Sequence, residues 1–578
     1  MLAPRPLAFV VSLLLWTAAC GTSRPTSTAA PSEAARGVPA QRGMVVSASS
    51  YASDIGRAVL QTGGNAVDAA VATGFAMAVT HPAAGNIGGG GFMVVRLPDG
   101  RSTTFEFREK APLAAHAEMF LDDNGEYSSQ IHHNSHLAVG VPGTVAGFAL
   151  AHERMGSLSW SRLVQPAAEL AREGFTLSED LAAEFEGLIP RFQPYPGSMH
   201  VFTKNGEPYQ AGETFRQPDL ARTLGRIATH GPDGFYRGET AHWIALEMKK
   251  HGGMITLEDL AHYEANERDP IRGTYNGYEI ITMPPPSSGG IALVEMLNIL
   301  EPYDLASHGH NSAEYVHLLT EAMRRAYRDR ATYVADADFV SVPIEQLTSK
   351  EYANELRMTI DPNSADESHP DDVMAASAAT AFESPETTHY SVVDANGMAV
   401  SVTYTLEAGY GSKIVVPGAG FLLNNEMGDF NARPGLTTEA GLIGTEPNLA
   451  RPEQRMLSSM TPTIIARDGQ LVAVVGSPGG RTIINTVLQV TLNVAELAMD
   501  IQSAVNAPRF HHQWLPDVIR IEQDGITAQT EQRLLAMGHE LRIGGTQGRS
   551  HSIMVDPVTG IIYGAPDPRD DDGAARGF

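Results

Sequence analysis

The chain of 578 residues contains a single cysteine, Cys20. One thiol can form neither an internal disulfide framework nor a cysteine-rich zinc site, so both kinds of scaffold are excluded. Positive charge is also scarce, with 41 Lys and Arg against 67 Asp and Glu for a net charge of −26. Binding nucleic acid through its phosphates needs a cationic surface, so that role is excluded as the main one. The apolar run at residues 7–16 is far shorter than the ~20 residues that cross a bilayer. What is present, 43% hydrophobic against 19% charged residues, suffices for a large buried core and excludes wholesale disorder.

Arg5, the apolar run and Thr17-Ala18-Ala19 before Cys20 form an export signal with a charged start, a short apolar middle and small residues at its end. The small pair before Cys20 is similar to a bacterial lipobox, which implies acylation of Cys20 as the mature N-terminus. Ordinary secretion with cleavage near Ala19 is the alternative. Both readings place the protein outside the cytoplasm, in the periplasm or at the cell surface. Residues 20–42, rich in Thr, Ser, Pro, Ala and Gly, read as a flexible tether. From residue 44 onward apolar strands alternate with helical stretches, which predicts a mixed α and β fold. Helices are expected over 65–79, 313–329, 353–359 and 530–537. Strand signals concentrate after residue 387.

Two hairpins there carry the chemistry. An Asn396-Gly397 turn joins β-rich runs, and a two-residue loop sets Ala395 opposite Met398 and Thr388 opposite Thr405, with Thr387 beside them. Asp468-Gly469 joins a second pair, whose register brings Thr461 opposite Gly476. Its open end gathers Ser458 and Ser459 beside the GSPGG run at 476–480. Hydroxyls next to a glycine-rich strand end suit acyl transfer, which needs a nucleophile, a proton acceptor and donors for an oxyanion. The same pattern also arises from strand propensity and strand termination alone.

The wording of these segments resembles the gamma-glutamyltransferase family. The shared motifs are GGNAVDAA (63–70), HPAAGNIGGGGF (81–92), FRE (107–109), VPGTVAGF (141–148), MPPPSSGG (283–290), TTHYSVVD (387–394), LNNEMGDF (423–430), LSSM (457–460), GSPGG (476–480) and NAPRFHHQWLPD (506–517). They run in family order from about residue 44 to the C-terminus. The resemblance implies an α+β fold of the N-terminal-nucleophile hydrolase type, an αββα four-layer sandwich. It is made as one precursor and cut autocatalytically between Glu386 and Thr387. Residues 1–19 are then the signal peptide, 20–42 the lipid-anchored linker, 43–386 the large subunit and 387–578 the small one.

The cut has a physical logic, because a threonine hydroxyl is a weak nucleophile without an adjacent base. The freed α-amine of Thr387, with an ordinary pKa of ~7.7–8.0, supplies one. By resemblance, Thr405 orients Thr387, Gly479 and Gly480 give oxyanion N–H groups, and Arg108, Ser458 and Ser459 take the glutamyl α-carboxylate. Glu426 and Asp429 take the α-ammonium. The implied partners are glutathione or other γ-glutamyl compounds as donors and water, amino acids or peptides as acceptors. No cofactor, metal or nucleic acid is expected.

Three departures from the family pattern stand out. Glu407 replaces an Asn near the ammonium site, Gly428 replaces a common Asp, and Ala440, in a lid-like loop at 434–445, replaces a latching Tyr of some members. Glu407 keeps open an acylase or poly-γ-glutamate-acting relative. A non-catalytic, exported solute-binding lipoprotein that is never cut is the alternative from another class. His132, His133 and His136 are expected as solvated loop residues, residues 284–286 as a rigid turn, His511 and His512 as structural, and residues 570–572 as solvated. The glycine run at 88–91 lacks the Lys-Ser/Thr of a phosphate loop.

Overall fold

The computed structural model describes residues 36–373 and 386–578; Cys20 and the export signal lie outside them. Two seven-stranded antiparallel sheets pack face to face. The first runs Ala574–Gly577, Met44–Ser47, Thr388–Val393, Ala399–Thr405, Gly90–Arg96, Ser102–Phe107, Asn266–Arg268. The second runs Val38–Ala40, Ile562–Ala565, Ser552–Val555, Gln470–Val475, Thr463–Arg467, Tyr278–Thr282, Ile271–Tyr275. Alternate residues of both, including Met44, Val46, Val94, Ile281, Ile464, Val474 and Ile553, meet in a core between the sheets. Both sheets therefore combine strands from before and after residue 386, although the strand signals concentrate in the later part.

Helices cover the two outer faces and complete four layers. The helix Ala66–Thr80 is buried along its whole length on the first sheet. Asn65 caps it in a reciprocal capping box with Asp68, and Tyr390 and Tyr404 reach up to the carbonyls of Ala70 and Gly74, each at 3.0 Å. The second sheet is covered by Gly289–Leu300, Ala313–Tyr333 and Thr482–Ala495, whose apolar faces share a core with Ile280, Ile465 and Val475. The expected helices are all present, with bounds Ala66–Thr80, Ala313–Tyr333, Lys350–Arg357 and Ala528–Ala536.

Three expectations are corrected. Val38–Ala40 forms an edge strand on Ile562–Ala565, so the fold begins inside the stretch read as tether; Pro39 is tolerated there because an edge strand leaves one side unpaired. The first hairpin is shifted by one residue, pairing Thr388 with Tyr404 and Val393 with Ala399. Its loop has three residues, with Gly397 at φ +85° and the Gly397 N–H donating to the Asp394 carbonyl. That is a type I turn closed by a left-handed glycine rather than a two-residue turn. The second hairpin keeps the expected register at its turn, Arg467 opposite Gln470, then shifts by one at a bulge between Ile465 and Ala466.

Candidate active site

With the one-residue shift, Thr387 precedes the first paired residue of its strand and comes level with Thr405. Their Oγ1 atoms lie 3.2 Å apart, at the floor of a cleft enclosing about 950 Å³ including its mouth. Thr405 is held from three sides. Its Oγ1 accepts from the Glu407 N–H at 2.9 Å, its carbonyl accepts from Asn86 Nδ2 at 2.8 Å, and a Cβ on Gly89 would lie 2.0 Å from that carbonyl oxygen. The glycine run at 88–91 thus lets two backbones approach closely. In the intact chain the Thr387 hydroxyl donates to the carbonyl of Glu386, the residue just before it.

Gly480 borders the cleft. Gly479 and Gly480 have φ of +131° and +55°, in the region that favours glycine. The Gly479 carbonyl accepts from the Thr482 N–H at the start of the following helix, at 3.0 Å.

Opposite, Arg108 is fully buried. It donates to the carboxylates of Glu426 and Asp429 and to the carbonyls of Met456 at 3.2 Å and Leu457 at 3.1 Å. Glu109 lies 3.7 Å away. Burial opposes the charge of Arg108, yet Glu426, Asp429 and Glu109 hold its pKa above the ordinary value. Burial pushes Glu109 up to about 8 against the pull of Arg108 and raises Glu426 well above the carboxylate range. One guanidinium does not offset the burial of both Glu109 and Glu426, so this buried pair holds on to protons above the ordinary carboxylate range. Arg108, Glu426 and Asp429 are thus brought together at the cleft as mutual partners.

Ser458 and Ser459 are both buried beside the cleft. Ser458 Oγ accepts from the Met460 N–H at 3.1 Å. Glu407, at φ +75°, turns its carboxyl inward, where it accepts from Asn425 Nδ2 and lies 3.8 Å from His133 Nδ1. Burial, helped by Asp429, raises its pKa to about 8.

Sequence reasoning missed several wall residues. His132 and His133 are buried, close the helix Ser129–His133 and line the cleft; the expectation of solvated loop histidines is corrected. The His132 ring leans on Phe120, with centroids 4.0 Å apart and planes tilted by 37°, and burial lowers His133 to about 4. Gly428 fits this arrangement, since a Cβ there would sit 2.4 Å from His133 Nδ1. Asp570 is corrected too, lying 3.2 Å from Nε2 of the buried His551. Arg330 and Arg481 also border the cleft. A helix expected to stop at 329 hid Arg330; the same-face spacing from Tyr327 is the signal that could have found it. Ala440 is exposed, and the loop is tethered instead by Arg481 Nη1 to the Gly441 carbonyl at 3.2 Å and Thr445 Oγ1 to the Ala331 carbonyl at 2.7 Å.

The family profile described as Gamma-glutamyltranspeptidase matches residues 52–577. The chain is 48% identical over 542 residues to the glutathione hydrolase proenzyme of Escherichia coli (strain K12), covering 94% of this chain and 93% of that one. Among solved structures, cephalosporin acylase from Bacillus halodurans superposes with a TM-score of 0.83 at 28% identity, covering 96% of this chain and 99% of that one. Helicobacter pylori gamma-glutamyltranspeptidase gives 0.54 at 48% identity over 55% of this chain and 91% of that one. With matching sequence along nearly its whole length, the chain belongs to the gamma-glutamyltranspeptidase family.

Proposed function

We propose that Thr387, freed by cleavage after Glu386, attacks the γ-carbonyl of glutathione-like donors and passes the γ-glutamyl group to water or to an amino acid or peptide amine. The observation that carries this reading is the 3.2 Å contact between Thr387 and Thr405 at the cleft floor, with Gly480 and Arg108 bordering the same space. Before the cut, Thr387 Oγ attacks its own preceding carbonyl carbon, the amide C–N bond breaks as the hydroxyl proton passes to the nitrogen, and water hydrolyses the resulting ester, leaving a carboxylate on Glu386 and a free amine on Thr387. That amine then takes the hydroxyl proton as Oγ attacks the donor, and the departing amine leaves protonated. The N–H groups of Gly479 and Gly480 stabilise the oxyanion, where loss of one donor costs about 2.7–4 kcal/mol.

The donor is a zwitterion at its α-carbon, and the Arg108–Asp429 pair is its complement. The carboxylate inserts onto Arg108, Ser458 and Ser459, while the ammonium takes Asp429, the acid whose side chain is 39% exposed, with Glu426 and Glu407 behind it. Glu407 also supports a second reading, a glutaryl-type acylase or a poly-γ-glutamate-acting enzyme. Uncharged by burial at neutral pH, it places less demand on an ammonium than a fixed carboxylate would. Release rates from γ-glutamyl and glutaryl anilides separate the two.

Denaturing electrophoresis tests the main reading. Active protein should run as two unequal bands, the smaller beginning at Thr387, whereas Thr387→Ala should stay one chain and lose activity. A cleaved, active Thr387→Ala product defeats the assignment, and an uncut wild-type chain without activity marks the non-catalytic binding protein. Export, with acylation of Cys20, is supported by the N-terminal sequence; no helix among the described residues is long and apolar enough to cross a membrane.

A further inference from the structure

Arg330 lies in the last turn of the helix Ala313–Tyr333, and the last two turns contact three other walls of the cleft. Tyr327 donates its hydroxyl proton to the Arg481 carbonyl, and the Ala331 carbonyl accepts from Thr445 in the lid-like loop. Arg330 spans two serines. Its Nε donates to Ser288 Oγ at 2.8 Å and its Nη2 to Ser459 Oγ at 3.0 Å. Ser288 in turn donates its hydroxyl and its backbone N–H to the Ser458 carbonyl, at 2.6 and 2.8 Å. Ser287 donates to the Met460 carbonyl at 2.6 Å. The serines of the MPPPSSGG motif thus lace the Ser458–Ser459 segment to the helix and to Arg330.

A serine hydroxyl has one proton and two lone pairs. Arg330 occupies a lone pair of Ser459, so the Ser459 proton must point elsewhere, and a donated charge-assisted bond polarises that O–H further. Ser459 is 8% exposed and borders the cleft.

We propose that Arg330 is a positioning residue for donor recognition: it aims the Ser459 O–H at the donor α-carboxylate, and through Ser288 it fixes the height of the Ser458–Ser459 segment in the cleft. The guanidinium acts through Ser459 and takes no part in bond making. The inference rests on the functional reading above, in which Ser459 meets that carboxylate.

A double-mutant cycle on the processed enzyme tests it, using Arg330→Met, Ser459→Ala and the pair, with γ-glutamyl-p-nitroanilide as donor. Each single change should raise KM about tenfold, the value of one hydrogen bond to a charged group, with kcat within about threefold. The double variant should raise KM little beyond either single one, because the two act as a unit. L-glutamate and 4-aminobutyrate, which differ only in the α-carboxylate, serve as competitive inhibitors. Arg330→Met should weaken the first about tenfold and leave the second unchanged. Arg330→Lys keeps the charge but not the two-point bridge, so it should recover part of the loss and supplies the cycle if the Met variant is not processed. KM effects that multiply to about a hundredfold, an unchanged KM, or equal weakening of both inhibitors overturn the proposal. A processed wild-type enzyme that releases no γ-glutamyl group overturns the functional reading and this inference together.

Discussion

Replacing Gly428 by alanine tests whether the acidic turn of the cleft is shaped around His133. Gly428 lies inside the helical turn Glu426–Asp429, and a Cβ there would sit 2.4 Å from Nδ1 and 2.8 Å from Cε1 of His133. Its backbone lies outside the left-handed region, so alanine meets no conformational barrier. Two effects oppose each other. Overpacking a filled site costs about 1–3 kcal/mol, while removing a glycine from the unfolded chain stabilises by about 0.4–1 kcal/mol. The clash wins, for a net destabilisation of roughly 1–2 kcal/mol. In a His133→Ala background only the second effect survives, and the same substitution should stabilise by about 0.4–1 kcal/mol. Urea denaturation of the four proteins measures this inversion of sign. The KM for γ-glutamyl-p-nitroanilide should rise in the single Gly428→Ala variant alone, because the displaced turn carries Glu426 and Asp429 against Arg108. A single variant as stable as wild type, or equal destabilisation in both backgrounds, refutes the reasoning.

Glu407→Gln should change the pH dependence of stability. The folded pKa of about 8 lies above the ordinary 4.5, so the folded chain retains a proton that the unfolded chain releases. The contribution of Glu407 is fully present below pH 4.5 and declines as pH rises to about 8. The stability of wild type minus that of Glu407→Gln should fall between pH 5 and 8 in urea denaturation; parallel profiles would contradict a buried, protonated Glu407. Cys20→Ala should abolish incorporation of labelled palmitate by expressing cells, and unchanged labelling would exclude Cys20 as the lipid-bearing residue.

Local signals in the sequence carried much of the architecture. An alanine-rich run after Gly63-Gly64 located the helix Ala66–Thr80 to within one residue at each end, and turn dipeptides found both hairpins. The register slipped because Asn-Gly fits a two-residue loop and a three-residue loop with Gly397 left-handed equally well; only the strand beyond decides. The slip matters, since it places Thr405 level with Thr387 rather than with Thr388. The pairing of Arg108 with Glu426 and Asp429 was legible as a set of residues but not as a set of contacts, because residues more than 300 positions apart meet there. His132 and His133 were misplaced for the same reason. Nothing adjacent in the chain reveals that Phe120 and the Glu426–Asp429 turn enclose them.

The interleaved sheets bear on what severing the backbone after Glu386 can do. Thr388–Val393 is flanked by Met44–Ser47 on one side and Ala399–Thr405 on the other, while Tyr278–Thr282 backs onto Thr463–Arg467 in the second sheet. Neither piece could depart without stripping ladders from both layers, so a terminus freed at Thr387 would emerge inside a finished framework and stay clamped there. A cut at that bond would thus alter the covalent connectivity of the molecule and leave its two layers interlocked.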